Sequence, residues 1–186
     1  MDYEQILQSA KQGEAVKPEI LDSIRDQLES GRYKADPYTL VYILGVAEDK
    51  SSHKILWRLV RTNSDEMIRR IAIETLTSRW GLHEYFPIAI ACIKEDSAPE
   101  VRDAAAIGIG FLGSRHADLR QRAASVLLSG FESSCPHDIV SAESYYCGIL
   151  ELLDIPLDER PSPFKDFTVD EIRWEFVDQA RMLSDG

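Results

Sequence analysis

Cysteine is scarce. Cys92, Cys135 and Cys147 are an odd number without framework spacing, which excludes a disulfide scaffold and predicts free thiols in a reducing, cytoplasmic setting. Long apolar runs are lacking too. None approaches the roughly 18 residues that span a bilayer, so no membrane protein is expected. Met1-Asp2-Tyr3-Glu4 is acidic and has no apolar segment behind it, so no secretory signal is expected either. Positive charge is in short supply: 21 Lys and Arg face 32 Asp and Glu, a net charge of −11. Nucleic acid is therefore an unfavoured partner, because affinity for phosphates rests on Lys and Arg. Catalytic signatures are missing as well, with no Gly-x-Gly-x-x-Gly, P-loop or Gly-x-Ser-x-Gly. His53, His83, His116 and His137 lie far apart, and Cys135-Pro136-His137 is the closest Cys/His pair. A zinc site needs about four ligands at paired spacing. No metal, cofactor or catalytic residue is expected, and the chain does not read as an enzyme.

What is present is a repeat. In Asp96 to Gly113, Ser97 reads as an N-cap, Glu100 completes a capping box and Pro99 occupies the first turn. Val101, Ala105, Gly108, Ile109 and Leu112 follow at helical spacing, and Gly113 reads as the C′ glycine. Earlier, Asn63 can cap and Glu66 can reach back, and Ile68, Arg69, Ala72 and Leu76 lie 33 residues before Val101, Arg102, Ala105 and Ile109, the period of a helical hairpin. Val101-Arg102, Ala105 and the Leu112-Gly113 ending resemble the second helix of a HEAT repeat of the small bacterial HEAT-like type. The likeness is clear over residues 63–80 and 96–113 and extends over about 36–153. The resemblance implies an all-α fold, a right-handed α-α superhelix of stacked helical hairpins, and a scaffold or binding role. It also implies that Arg69 and Arg102 bridge to the inter-helix turn of a neighbouring repeat.

The whole chain, residues 1–186, reads as one HEAT-like domain. Two amphipathic helices, residues 2–12 and about 18–30, form an N-terminal cap within 1–35. Repeats occupy 36–153, and an extended connector with Pro156, Pro161 and Pro163 covers 154–167. A last helix in 168–186 starts at the capping box Thr168–Glu171 and places Ile172, Phe176, Ala180 and Leu183 on one side, with Trp174 off that stripe. Pro87 is expected to kink or restart the helix His83–Lys94.

Function is expected to be binding. Stripe arithmetic places Glu66, Arg70, Ile73 and Thr77 of one inner helix, and Asp103, Ala106 and Gly110 of the next, away from the buried face. Glu143 and Tyr145 take such places on the third. Residues 138–186 carry 12 acids and four bases, so this acidic quarter, with Glu151, Asp158 and Glu159, reads as a docking face for a basic protein. The partner-binding set is thus Glu66, Arg70, Ile73, Asp103, Glu143, Tyr145, Glu151, Asp158 and Glu159. A second reading is an immunity protein that neutralises a basic toxin. A third is an enzyme of the DNA-glycosylase or bilin-lyase type found among HEAT-like folds, although the former need a basic groove that these counts do not supply.

Overall fold

A computed structural model describes residues 2–161 and 166–186; Pro163 of the connector lies outside them. The described residues are all-helical, with no strand among them. They fall into two compact units, Met1–Trp80 and Gly81–Gly186.

In the first unit, α1 (Tyr3–Lys11) is N-capped by Asp2, whose carboxylate accepts from the Glu4 and Gln5 amides. Helix α2 (Pro18–Ser30) starts on its proline and ends at Gly31, whose φ of 69° is open to glycine at little cost. Next come α3 (Pro37–Val46), capped by Asp36, and α4 (His53–Thr62), which follows a short 3-10 turn over Lys50–Ser52. Helix α5 (Glu66–Glu74) runs into a π turn, Thr75–Arg79. Within this unit α4 packs on α5, α3 on α5 and α2 on α4. The apolar stripes meet as the periodicity requires: Ile24, Leu40, Ile43, Leu44, Leu56, Ile71 and Leu76 are fully buried. Trp80 is buried too, and its indole N–H donates to the Gly45 carbonyl at 3.2 Å.

The second unit opens with a 3-10 turn, His83–Tyr85, and α6 (Phe86–Glu95). Pro87 sits in the first turn of α6, so the helix restarts at the proline as expected. Helices α7 (Pro99–Arg115), α8 (Ala117–Ser134) and α9 (Ile139–Leu152) follow, then 3-10 turns over Leu157–Glu159 and Val169–Glu171 and finally α10 (Trp174–Asp185). Helix α7 touches α6, α8 and α9, and α10 covers α8 and α9. Phe176 and Ala180 are buried, while Trp174 is 50% exposed and meets the Phe131 ring edge-on at 5.9 Å. That division is the one the stripe predicts.

The two repeats share their local geometry. Arg69 Nη1 donates to the carbonyls of Asn63 and Ser64 at 3.0 and 3.2 Å, and Arg102 Nη1 donates to those of Asp96 and Ser97 at the same two distances. Each arginine therefore ties down the turn of its own hairpin. The capping differs from expectation. Asn63 Oδ1 accepts from the Asp65 amide and Asp96 Oδ1 from the Ala98 amide, both at 2.9 Å. The side chains fold back onto the turn two residues on, which moves the helix starts to Glu66 and Pro99 and leaves neither expected capping box in place. The Thr168–Glu171 box does form, but it heads a 3-10 turn; α10 begins three residues later. Gly113 is not a C′ glycine either. It lies inside α7 where a Cβ would strike Ala123 and Leu152, so close packing fixes it.

Candidate functional site

The closest helix contact in the second unit builds the site. A Cβ on Gly110 would collide with the Gly148 carbonyl oxygen, and one on Gly148 with that of Ala106. Small residues thus let α7 and α9 touch backbone to backbone. One turn along the same seam, Ser144 donates its hydroxyl to Asp103. Ser144 and Gly148 are i and i+4 on α9, so a single face carries both the contact and the hydrogen bond.

At the start of α7 and α9 the seam opens into a cleft of about 80 Å³, lined by Arg102, Asp103, Val140, Ser141, Ser144 and Tyr145 among others. That volume accommodates the end of one side chain, well short of the roughly 300 Å³ at which small-molecule pockets begin. The Tyr145 ring lies over Gly130 of α8, where any Cβ would occupy the same space. Val140 is 62% exposed at the rim. Burial raises the Tyr145 phenol above its ordinary pKa, with Arg102 pulling the other way. Asp138, the N-cap of α9, is held low by its hydrogen bonds with Ser141 and by the field of Arg102.

Negative charge gathers beside this cleft. The Glu143 carboxyl is raised first by burial and then by repulsion from Asp103, Glu171 and Asp166. The same surroundings push the Cys147 thiol up to about 11, with burial again the first cause and Glu143 and Asp103 the next. Such a thiol stays protonated and unreactive at neutral pH. Among the described residues no group of three His, Cys, Asp or Glu side chains could hold a metal ion.

Of the expected binding residues, Asp103 and Tyr145 line the cleft together, and Glu143 lies within electrostatic reach of Asp103. Others it disposes differently. Glu151 forms an ion pair with Arg160, and Glu159 pairs with Arg173 at 3.1 Å, so their charge is already compensated. Asp158 is exposed in the 3-10 turn. In the first unit Glu66 is exposed and Arg70 half-buried, 3.9 Å from Glu74. Ile73 is a correction: it is fully buried, as are Thr77 and, in the second unit, Ala106 and Gly110. These positions fail as a free face because inner helices are covered on a second side; for α7 that cover is α9. The stripe arithmetic missed Ser144, whose signal was its i, i+4 relation to Gly148.

Comparison of the chain with protein-family models, curated proteins and solved structures finds no match. The geometry of the site therefore carries the functional reading alone.

Proposed function

We propose that the protein is a non-catalytic protein-interaction module of HEAT-like hairpins in a right-handed stack, and that its second unit takes a basic segment of a partner at the α7–α9 seam. The carrying observation is Glu143: burial first, and then repulsion from Asp103, Glu171 and Asp166, raise its carboxyl, and it has no ion pair among the described residues. A partner's Lys or Arg placed there would relieve that repulsion, and the half-buried Tyr145, which lines the cleft with Asp103, offers the kind of aromatic anchor in which interface energy concentrates. Charge distribution supports the same reading. Residues 81–186 carry 19 acids and nine bases, a net −10, whereas residues 1–80 carry 13 and 12, a net −1. The repeat reading is supported by the matched arginine geometry of the two hairpins and by like helices lying side by side within each unit.

The test is an unbiased pull-down from the native source, followed by binding kinetics at two salt concentrations. The expected partner is basic, its on-rate falls steeply with salt while its off-rate changes little, and Glu143→Gln or Tyr145→Ala weakens it. A tight acidic partner, or an on-rate indifferent to salt, would overturn the assignment.

A further inference from the structure

The first unit carries a surface of the opposite polarity. Tyr38 and Tyr42, one turn apart on α3, stack with centroids 6.2 Å apart at 28°. Lys11 Nζ stands 4.9 Å from the centre of the Tyr42 ring, and the Arg79 guanidinium stands 4.7 Å from it. Arg70, on the facing side of α5, is close enough to act on the Tyr38 hydroxyl, as is Arg79. Three cations from three different elements thus converge on two tyrosines, and all of them are accessible to solvent. The carboxylate that acts on Tyr38 beside them is Glu74. It stands 3.9 Å from Arg70 and 3.7 Å from Arg79, beyond hydrogen-bond length, so it leaves the donors of both guanidiniums available.

From this arrangement we infer that Lys11, Arg70 and Arg79, braced on Tyr38 and Tyr42, form a docking surface for an acidic segment of a partner protein. Charge complementarity argues for that occupant: the two guanidiniums that act on Tyr38 are joined at Tyr42 by the Lys11 ammonium, three cations converging on one pair of rings of an otherwise acidic molecule. Guanidinium forks match carboxylates two donors at a time, and a cation held over a ring has already lost much of the freedom that binding would otherwise remove. A single-stranded nucleic acid is the weaker match. Its bases need open ring faces to stack on, whereas Tyr42 is already engaged by Tyr38, Lys11 and Arg79.

This surface is independent of the α7–α9 seam, and its test separates the two. A fluorescein-labelled peptide of eight glutamates is titrated with the full-length protein at low salt, alongside an eight-lysine peptide and an oligothymidylate of the same length. The glutamate peptide should bind. Its affinity should fall about tenfold in Arg70→Gln/Arg79→Gln and less in Lys11→Gln, with the lysine peptide unaffected by either change. Circular dichroism checks the fold; because the Arg79 side chain also packs near Gly45, Arg70→Gln/Lys11→Gln serves as the variant that leaves that packing intact. Tighter binding of the oligothymidylate would overturn the proposal in favour of nucleic acid. No binding of the glutamate peptide, or binding that survives both double substitutions, would overturn it outright. Loss of lysine-peptide binding in Glu143→Gln would bear on the other surface alone.

Discussion

Single side chains decide much of the second unit. Ala105 is fully buried within α7, so Ala105→Asp places a carboxylate where no partner awaits it. A loss of about 3 kcal/mol or more is expected, read as a lower denaturation midpoint; an unchanged midpoint would contradict the packing. Gly110→Ala should cost about 1–3 kcal/mol by forcing α7 and α9 apart, although alanine is the better helix former. Cys135→Ala, at a partly exposed thiol, should leave the midpoint nearly unchanged. Glu143 gives a pH signature. Its carboxyl is raised in the folded protein, so the folded state holds the proton more tightly than the unfolded chain. Stability is therefore lost as pH rises from the ordinary carboxyl value through the raised one. Glu143→Gln should raise the melting temperature at pH 7, and the gain should vanish once pH falls below the ordinary carboxyl range. An equal gain at both pH values would show that charge is not the cause. Asp138, held low, runs the opposite way and loses its contribution as pH falls.

Among the elements, the hairpin turns have the most to say. Arg69 and Arg102 each satisfy two turn carbonyls. Arg69→Ala and Arg102→Ala should each lower stability by about 1–3 kcal/mol, and by similar amounts because the geometry is duplicated. Unequal losses would mean that the two turns differ in ways the repeat does not show. This duplication was legible in the sequence at a spacing of 33 residues, and the helices followed from the periodicity of residues such as Ile68, Ala72 and Leu76. Cap positions were not. Asn63 and Ser97 were the expected caps of amides three residues on, whereas Asn63 and Asp96 take the amides two residues on. The site was legible in part. Asp103, Glu143 and Tyr145 could be picked from helical stripes, but Ile73 could not be rejected, since one helix's periodicity does not reveal how many neighbours it has. Nor could the ion pairs of Glu151 and Glu159 be seen, because Arg160 and Arg173 come from the connector and its far end.

At the scale of the whole molecule, charge is divided unevenly, −1 in the first unit and −10 in the second. Self-repulsion of that kind destabilises a compact state and yields to salt. Raising ionic strength from about 0.01 to about 0.1 M shortens the screening length from about 30 to about 10 Å, so the second unit should gain more melting temperature than the first. The tryptophans make that difference observable. Trp57 and Trp80 belong to the first unit, the latter buried with its indole bonded to Gly45. Trp174 belongs to the second and is half open to solvent. Trp57 is partly exposed with the Arg61 guanidinium over its ring, so a quencher alone does not divide the emission between the units. Replacing Trp174 with phenylalanine then silences one unit and leaves the other reporting. The protein thereby carries its own thermometers, and the difference between the parent and the Trp174→Phe protein reads the second unit without any dye attached.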